Sequence, residues 1–159
     1  MRKESLIRLL RGIIIGFGIL GAVVYTQTFP ILGHGMEEMI LRFSTYYIPW
    51  LIFIWITAIP CYMILFYGWK VIEQIEQDTI FTRKSALLFK KVSWWALADM
   101  IFFTVGNLIF FCIKAVDIIY FFASLVGVFM GLAVVITAAM LSHLAYKAAE
   151  LNEENELTI

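Results

Sequence analysis

A chain of 159 residues that is 62% hydrophobic, with a mean hydropathy of +0.89, is too apolar for an ordinary water-soluble domain, which runs at about 45–50% apolar. Twelve basic residues cancel twelve acidic ones, so no global charge draws the protein to nucleic acid. The composition therefore points to lipid as the solvent.

The hydrophobicity falls into four runs, at about 12–30, 48–69, 93–113 and 118–143. Each has enough residues for a helix to cross a hydrocarbon core of about 30 Å. Helices are expected because lipid cannot satisfy free backbone groups. The expected fold is an all-α membrane protein, four transmembrane helices in one antiparallel bundle.

The first run starts at Gly12, behind Arg2, Lys3, Arg8 and Arg11, and is expected to stop at Pro30. It is long for a secretory signal and no clean small-x-small site follows, so it reads as an uncleaved span. The outer segment 33–46 places Met36, Met39, Ile40 and Phe43 at helical spacing, with Glu37, Glu38 and Arg42 largely opposite. That pattern predicts a short amphipathic helix on the outer leaflet or capping the bundle.

The second run carries Pro49 in its first turn, where a missing N–H costs little, and Pro60 in its interior, which frees the Ile56 carbonyl. Helical spacing continues past Trp69 and breaks at Gln77-Asp78-Thr79-Ile80-Phe81. It restarts after Thr82, a suitable N-cap, and leads through Arg83, Lys84, Lys90 and Lys91 into the third run. Residues 70–92 thus form a helical hairpin tip. Only a few residues around Lys114 and Asp117 separate the third and fourth runs, so those helices make a tight hairpin. The fourth continues towards an acidic tail at 150–159, which holds Glu153, Glu154, Glu156 and Leu157.

Ten of the twelve Lys and Arg residues lie on one side of these spans; only Arg42 and Lys114 lie on the other. The positive-inside rule then places both termini in the cytoplasm, and helices two to four extend into it. The expected location is a bacterial cytoplasmic membrane. A basic 83–91 face and an acidic tail on one side give a docking surface, charges that neutralise each other, or contact with lipid headgroups.

Four features within the spans carry candidate chemistry. Asp99 is a carboxylate inside a membrane-grade run. Such a charge costs roughly 3 kcal/mol at the bilayer centre and usually faces a partner. Arg11 and His143 are the candidate partners at similar depth, with a structural ion pair or a proton- or ion-coupling carboxylate as the two readings. Asn107 lies deeper and fits an interhelical hydrogen bond. Gly12 with Gly16, and Gly127 with Gly131, have the four-residue spacing that permits close helix approach, within one bundle or in a homodimer.

Other patterns carry less. Gly16-Phe17-Gly18-Ile19-Leu20-Gly21 matches the dinucleotide fingerprint in letters only, because it lacks the preceding strand. Cys61 and Cys112 sit at different depths and read as small apolar packing residues. His34 with Glu37 and Glu38 lacks a third strong metal ligand, and no nucleophile–base arrangement points to an enzyme. No metal and no cofactor are expected.

Tyr47-Ile48-Pro49-Trp50, Ile59-Pro60, the turn Ile75-Glu76-Gln77-Asp78-Thr79-Ile80-Phe81-Thr82, the following Ala86-Leu87-Leu88-Phe89-Lys90-Lys91 and the terminal Glu154-Asn155-Glu156-Leu157-Thr158-Ile159 together resemble a family of small bacterial four-span membrane proteins, domain-of-unknown-function family 2975. Members of that family are often encoded beside a small helix-turn-helix regulator, so the resemblance implies a regulatory partnership. The expected function is a non-enzymatic membrane regulator docking such a partner through Asp78, Phe81, Arg83, Lys84, Lys90, Lys91, Glu153, Glu154, Glu156 and Leu157. The alternative is a small transporter, channel or peptide-immunity protein that uses Asp99.

Overall fold

The computed structural model describes residues 3–40, 43–79 and 82–157, with side chains as far as 154. The described residues form α1 (Lys3–Val23), a π-helical turn (Val24–Thr28), α2 (Phe29–Met39), α3 (Phe43–Glu76), α4 (Arg83–Cys112) and α5 (Ile118–Leu157), and no strand. Four continuous helical stretches are long and apolar enough to cross a membrane: Lys3–Met39, Phe43–Glu76, Arg83–Cys112 and Ile118–Glu154.

Pro30 does not end the first span. α1 passes through the π turn into α2, which carries Pro30 at its start, the one place where a helix loses little by the missing N–H. The widened turn has a cost, because the Phe29 N–H bonds the Val24 carbonyl instead of that of Tyr25. Pro30, the next residue along, has no N–H to offer it. The Tyr25 carbonyl is met from another helix: the Trp55 indole on α3 donates to it at 3.0 Å. The expected outer segment 33–46 is consequently shared between the end of α2 and the start of α3. Met36 and Phe43 are buried where the two meet and Met39 is exposed; Arg42 lies outside the described residues.

Both α3 and α4 end in the same way. The Thr79 N–H bonds the Gln74 carbonyl, and the Ala115 N–H bonds that of Phe110, each five residues back. Asp78 and Lys114 take the left-handed conformation this closure requires, both at φ 57°, a position usually given to glycine. Thr82 caps α4, its hydroxyl accepting from the Ser85 N–H at 3.4 Å. The Ser85 and Thr82 hydroxyls donate to the Thr79 carbonyl at 2.9 and 2.8 Å, which fixes the turn.

The helices pack in chain order: the α1–α2 stretch on α3, α3 on α4, and α4 on α5. Among the described residues, α1 makes no close backbone approach to α4 or α5. A gap is therefore left between the first helix and the last.

Hydroxyls stitch α4 to α5 in both directions, Ser93 donating to the Val135 carbonyl (3.2 Å) and Ser142 to that of Ala86 (2.8 Å). Small residues line this seam, with Ala138, Ala145 and Ala149 buried, while Gly127 and Gly131 lie in ordinary contact with Phe103 and Met100. Small side chains let backbones approach and gain dispersion contacts. Gly12 and Gly16 do not share in such packing, since a Cβ at either would meet open space.

The two glycines that close approach does require are Gly33 and Gly106. A Cβ at Gly33 would stand 2.5 Å from the Tyr47 ring, and one at Gly106 would overlap the Phe53 ring. Phe53 cannot easily yield, being buried and packed on the rings of Phe102, Phe103 and Phe110. Gly106→Ala is expected to destabilise the protein by about 1–3 kcal/mol through overpacking. Gly12→Ala should be neutral or gain up to about 1 kcal/mol. Thermal unfolding in detergent checks both, and equal effects would contradict this packing.

Candidate functional site

Asp99 sits near the middle of α4, and the question its position poses is what satisfies its carboxylate. Neither expected partner does. Arg11 on α1 bonds Glu76 at 2.6 Å and lies 5.5 Å over the Trp69 ring. His143 on α5 is exposed beside a separate groove. Arg11 thus has its own carboxylate partner, and His143 faces an open surface.

The group that reaches Asp99 is the Cys61 thiol of α3, which donates to Oδ2 at 3.6 Å. Cys61 is therefore more than an apolar packing residue. The Tyr25 hydroxyl, from the π turn, donates to the Cys61 sulfur at 3.5 Å and stands 3.1 Å from the Thr57 hydroxyl. Thr57 donates in turn to the Ile54 carbonyl at 2.7 Å. The result is a chain of neutral donors that runs from the π turn through α3 and ends on a carboxylate of α4. Asp99 Oδ1 is buried and has no hydrogen-bond partner among the described residues.

Two irregularities of the backbone place this chain. The π turn sets Tyr25 towards α3, and Cys61 follows Pro60 directly, where α3 lacks a backbone N–H. Beside the chain lies a cavity of about 330 Å³ lined from every spanning stretch. Tyr25, Thr57, Cys61 and Asp99 give it one polar wall; Phe29, Met100, Phe103, Met130 and Gly131 are among its apolar lining. A larger apolar cavity of about 620 Å³ adjoins it towards the chain termini, between α1 and α5. Thiol, hydroxyl and carboxylate here can hold a proton or a cation in place; a hard metal ion would want more oxygen ligands than this wall offers.

Asn107, expected to bond between helices, instead donates to the Phe103 carbonyl of its own helix at 2.8 Å. That local bond answers the amide hydrogen without a second helix. His34 has both ring nitrogens engaged, by Glu37 (2.9 Å) and by the Tyr47 hydroxyl (3.2 Å). The described residues include no cluster of three metal-ligating side chains.

At the end of the molecule that carries the termini, the charges pair with one another. Lys3 bonds Asp78 (2.5 Å) and the Glu76 carbonyl (2.9 Å). Arg83, the first residue of α4, grips Glu153 of α5 with both arms, at 2.9 and 2.6 Å, and lies over the Tyr146 ring. Lys84 and Lys90 are exposed, and the Lys91 ammonium stands 5.4 Å over the Tyr67 ring. A groove between α4 and α5 is lined by Lys90, Trp94, His143 and Tyr146 among others. Glu154 is exposed. Phe81 and the side chains of Glu156 and Leu157 lie outside the described residues.

Sequence reasoning identified Asp99 and missed Tyr25, Thr57 and Cys61. Their signal is weak: Thr57 and Cys61 share one helix face at i and i+4, and Cys61 stands next to an interior proline. Cys61→Ala is expected to lower stability by about 1 kcal/mol, since interhelical hydrogen bonds in membranes are worth about that or less. Cys61→Ser, which keeps a donor, should lose less. Unfolding of both variants in detergent measures the difference, and identical losses would mean that the thiol does not serve Asp99.

Comparison with known proteins agrees with a membrane setting. The chain is 28% identical over 153 residues to the uncharacterised membrane protein YoaS of Bacillus subtilis (strain 168), covering 92% of each. No solved structure matches it. Together with four apolar helices of spanning length, this makes the protein a multi-pass membrane protein. Residues 31–159 match the family described as protein of unknown function (DUF2975), and the chain belongs to that family.

Proposed function

We propose that the protein is a non-enzymatic regulator of a bacterial cytoplasmic membrane, with both termini inside, that docks a small helix-turn-helix transcriptional regulator. The observation that carries the reading is the Arg83–Glu153 clamp, which joins the start of α4 to the far end of α5. α5 has 40 residues, about 60 Å of helix against a hydrocarbon core of about 30 Å. The excess leaves the clamp outside the lipid. There the clamp holds an acidic helix end against a basic one, with Lys84 and Lys90 exposed beside it.

Both partners of the clamp are more than half exposed (58% and 52%), so solvent screens it and it is a weak contact. A contact that weak is readily exchanged for one with another protein. A change in helix packing within the membrane would shift the clamp between closed and open forms, and a partner preferring one of them would be bound or released. The partner class comes from the family resemblance.

A second reading, a small transporter or channel, is supported by the donor chain that ends on Asp99. Under it, Asp99→Asn abolishes flux in liposomes while the clamp variants do not.

For the docking reading, deletion of the residues after Asn152 should remove the regulator from material co-purified after crosslinking in the native host. Arg83→Glu should lower its recovery, and adding Glu153→Arg should restore it. Unchanged recovery from the truncated, membrane-inserted protein sinks the docking assignment.

A further inference from the structure

We propose that the cavity beside Asp99 is a binding site for a lipophilic monovalent cation, an ammonium-like charge carried on a small hydrophobic body. The carboxylate lines the cavity, and among the described residues no charged group pairs with it. Arg11 is held by Glu76, and among the described residues the donor that reaches the carboxylate is a thiol at 3.6 Å, a weak one. Oδ1 has no partner among the described residues. An ionised carboxylate so placed in lipid is under-satisfied and attracts a cation.

The remaining walls select which cation. Tyr25, Phe29 and Phe103 present aromatic rings, whose faces attract organic cations. Met100 and Met130 add adaptable apolar surface. A volume of about 330 Å³ is at the lower end of small-molecule pockets, about 300–1,000 Å³, and suits a body of one or two rings. A dehydrated hard metal ion fits poorly, because six or more oxygen ligands are not at hand. The gap between α1 and α5, continued by the larger apolar cavity, gives such a molecule a path from the bilayer. The site stands independently of the docking reading, since binding is measured without any partner.

The test uses the full-length protein in lipid nanodiscs and tritiated benzyltrimethylammonium, dialysed to equilibrium against loaded and empty discs. Its uncharged isostere, neopentylbenzene, serves as competitor. Saturable binding to the protein is expected, weakened about tenfold or more in Asp99→Asn, with no competition by the isostere. Gly131→Leu, which adds bulk to the cavity lining beside Met100 and leaves the Asp99 residue unchanged, should also abolish binding. Circular dichroism confirms that each variant is folded. If Asp99→Asn does not fold, the isostere and Gly131→Leu decide. No saturable binding by the wild type, equal binding by folded Asp99→Asn, effective competition by the isostere, or retention in Gly131→Leu would each overturn the proposal.

Discussion

A polar group inside a membrane span must be answered by the chain itself, because lipid offers neither donors nor acceptors. In this protein that constraint settles how the first helix is held. The π turn before Pro30 strands the Tyr25 carbonyl, and Trp55 of α3 supplies its hydrogen bond. Tyr62 of α3 donates to the Gly18 carbonyl about two turns earlier, at 2.9 Å. The Tyr25 hydroxyl then reaches back to Thr57 and Cys61. α1 has little buried apolar area of its own, with Ile7 its one buried residue among those described. Polar staples to α3 compensate for that shortage.

From this follows the open order of the bundle. α3 is fastened to α1 by side chains that donate to backbone, and to α4 by a stack of aromatic rings around Phe53. Among the described residues the close backbone contacts of α5 are with α4, through alanines and reciprocal serine bonds. Its first turn adds the Tyr120 hydroxyl, which donates to the Met39 sulfur of α2 at 3.6 Å. Two tight helix pairs thus share one interface, α3 with α4, and Asp99 lies on it. The cavities lie between the pairs, where, among the described residues, α1 makes no close backbone approach to α5. A movement of the pairs about the α3–α4 seam would change the cavity and the distance between helix ends together.

Much of this was legible in the sequence, and the reasons for the rest are physical. Four spans, the tight turn at Lys114–Asp117 and the Thr82 cap follow from length and local chemistry, which depend on neighbours along the chain. Asp99 stood out because a charge in an apolar run is rare. Its partner did not, because that choice depends on where irregular turns aim side chains. A π turn is not visible in composition, and Pro30 alone reads as a stop. Arg11 and His143 were candidate partners for Asp99 by depth, whereas Arg11 bonds Glu76 and His143 is exposed. Asn107 was expected to bridge helices and instead bonds back on its own. Glycine spacing marked Gly127 and Gly131 on a packed face and Gly12 and Gly16 on an open one. Gly33 and Gly106, which the packing cannot replace, stand alone in sequence and gave no pattern.

A thiol of α3, and neither Arg11 of α1 nor His143 of α5, meets the Asp99 carboxylate. Infrared spectroscopy of the S–H stretch tests it directly, in a Cys112→Ser background where Cys61 is the sole thiol. The account predicts a broadened S–H band at lowered frequency, characteristic of a donor to a charged or strong acceptor, that moves towards the free-thiol position in Asp99→Ala. A free-thiol band that is the same with and without the carboxylate would contradict it.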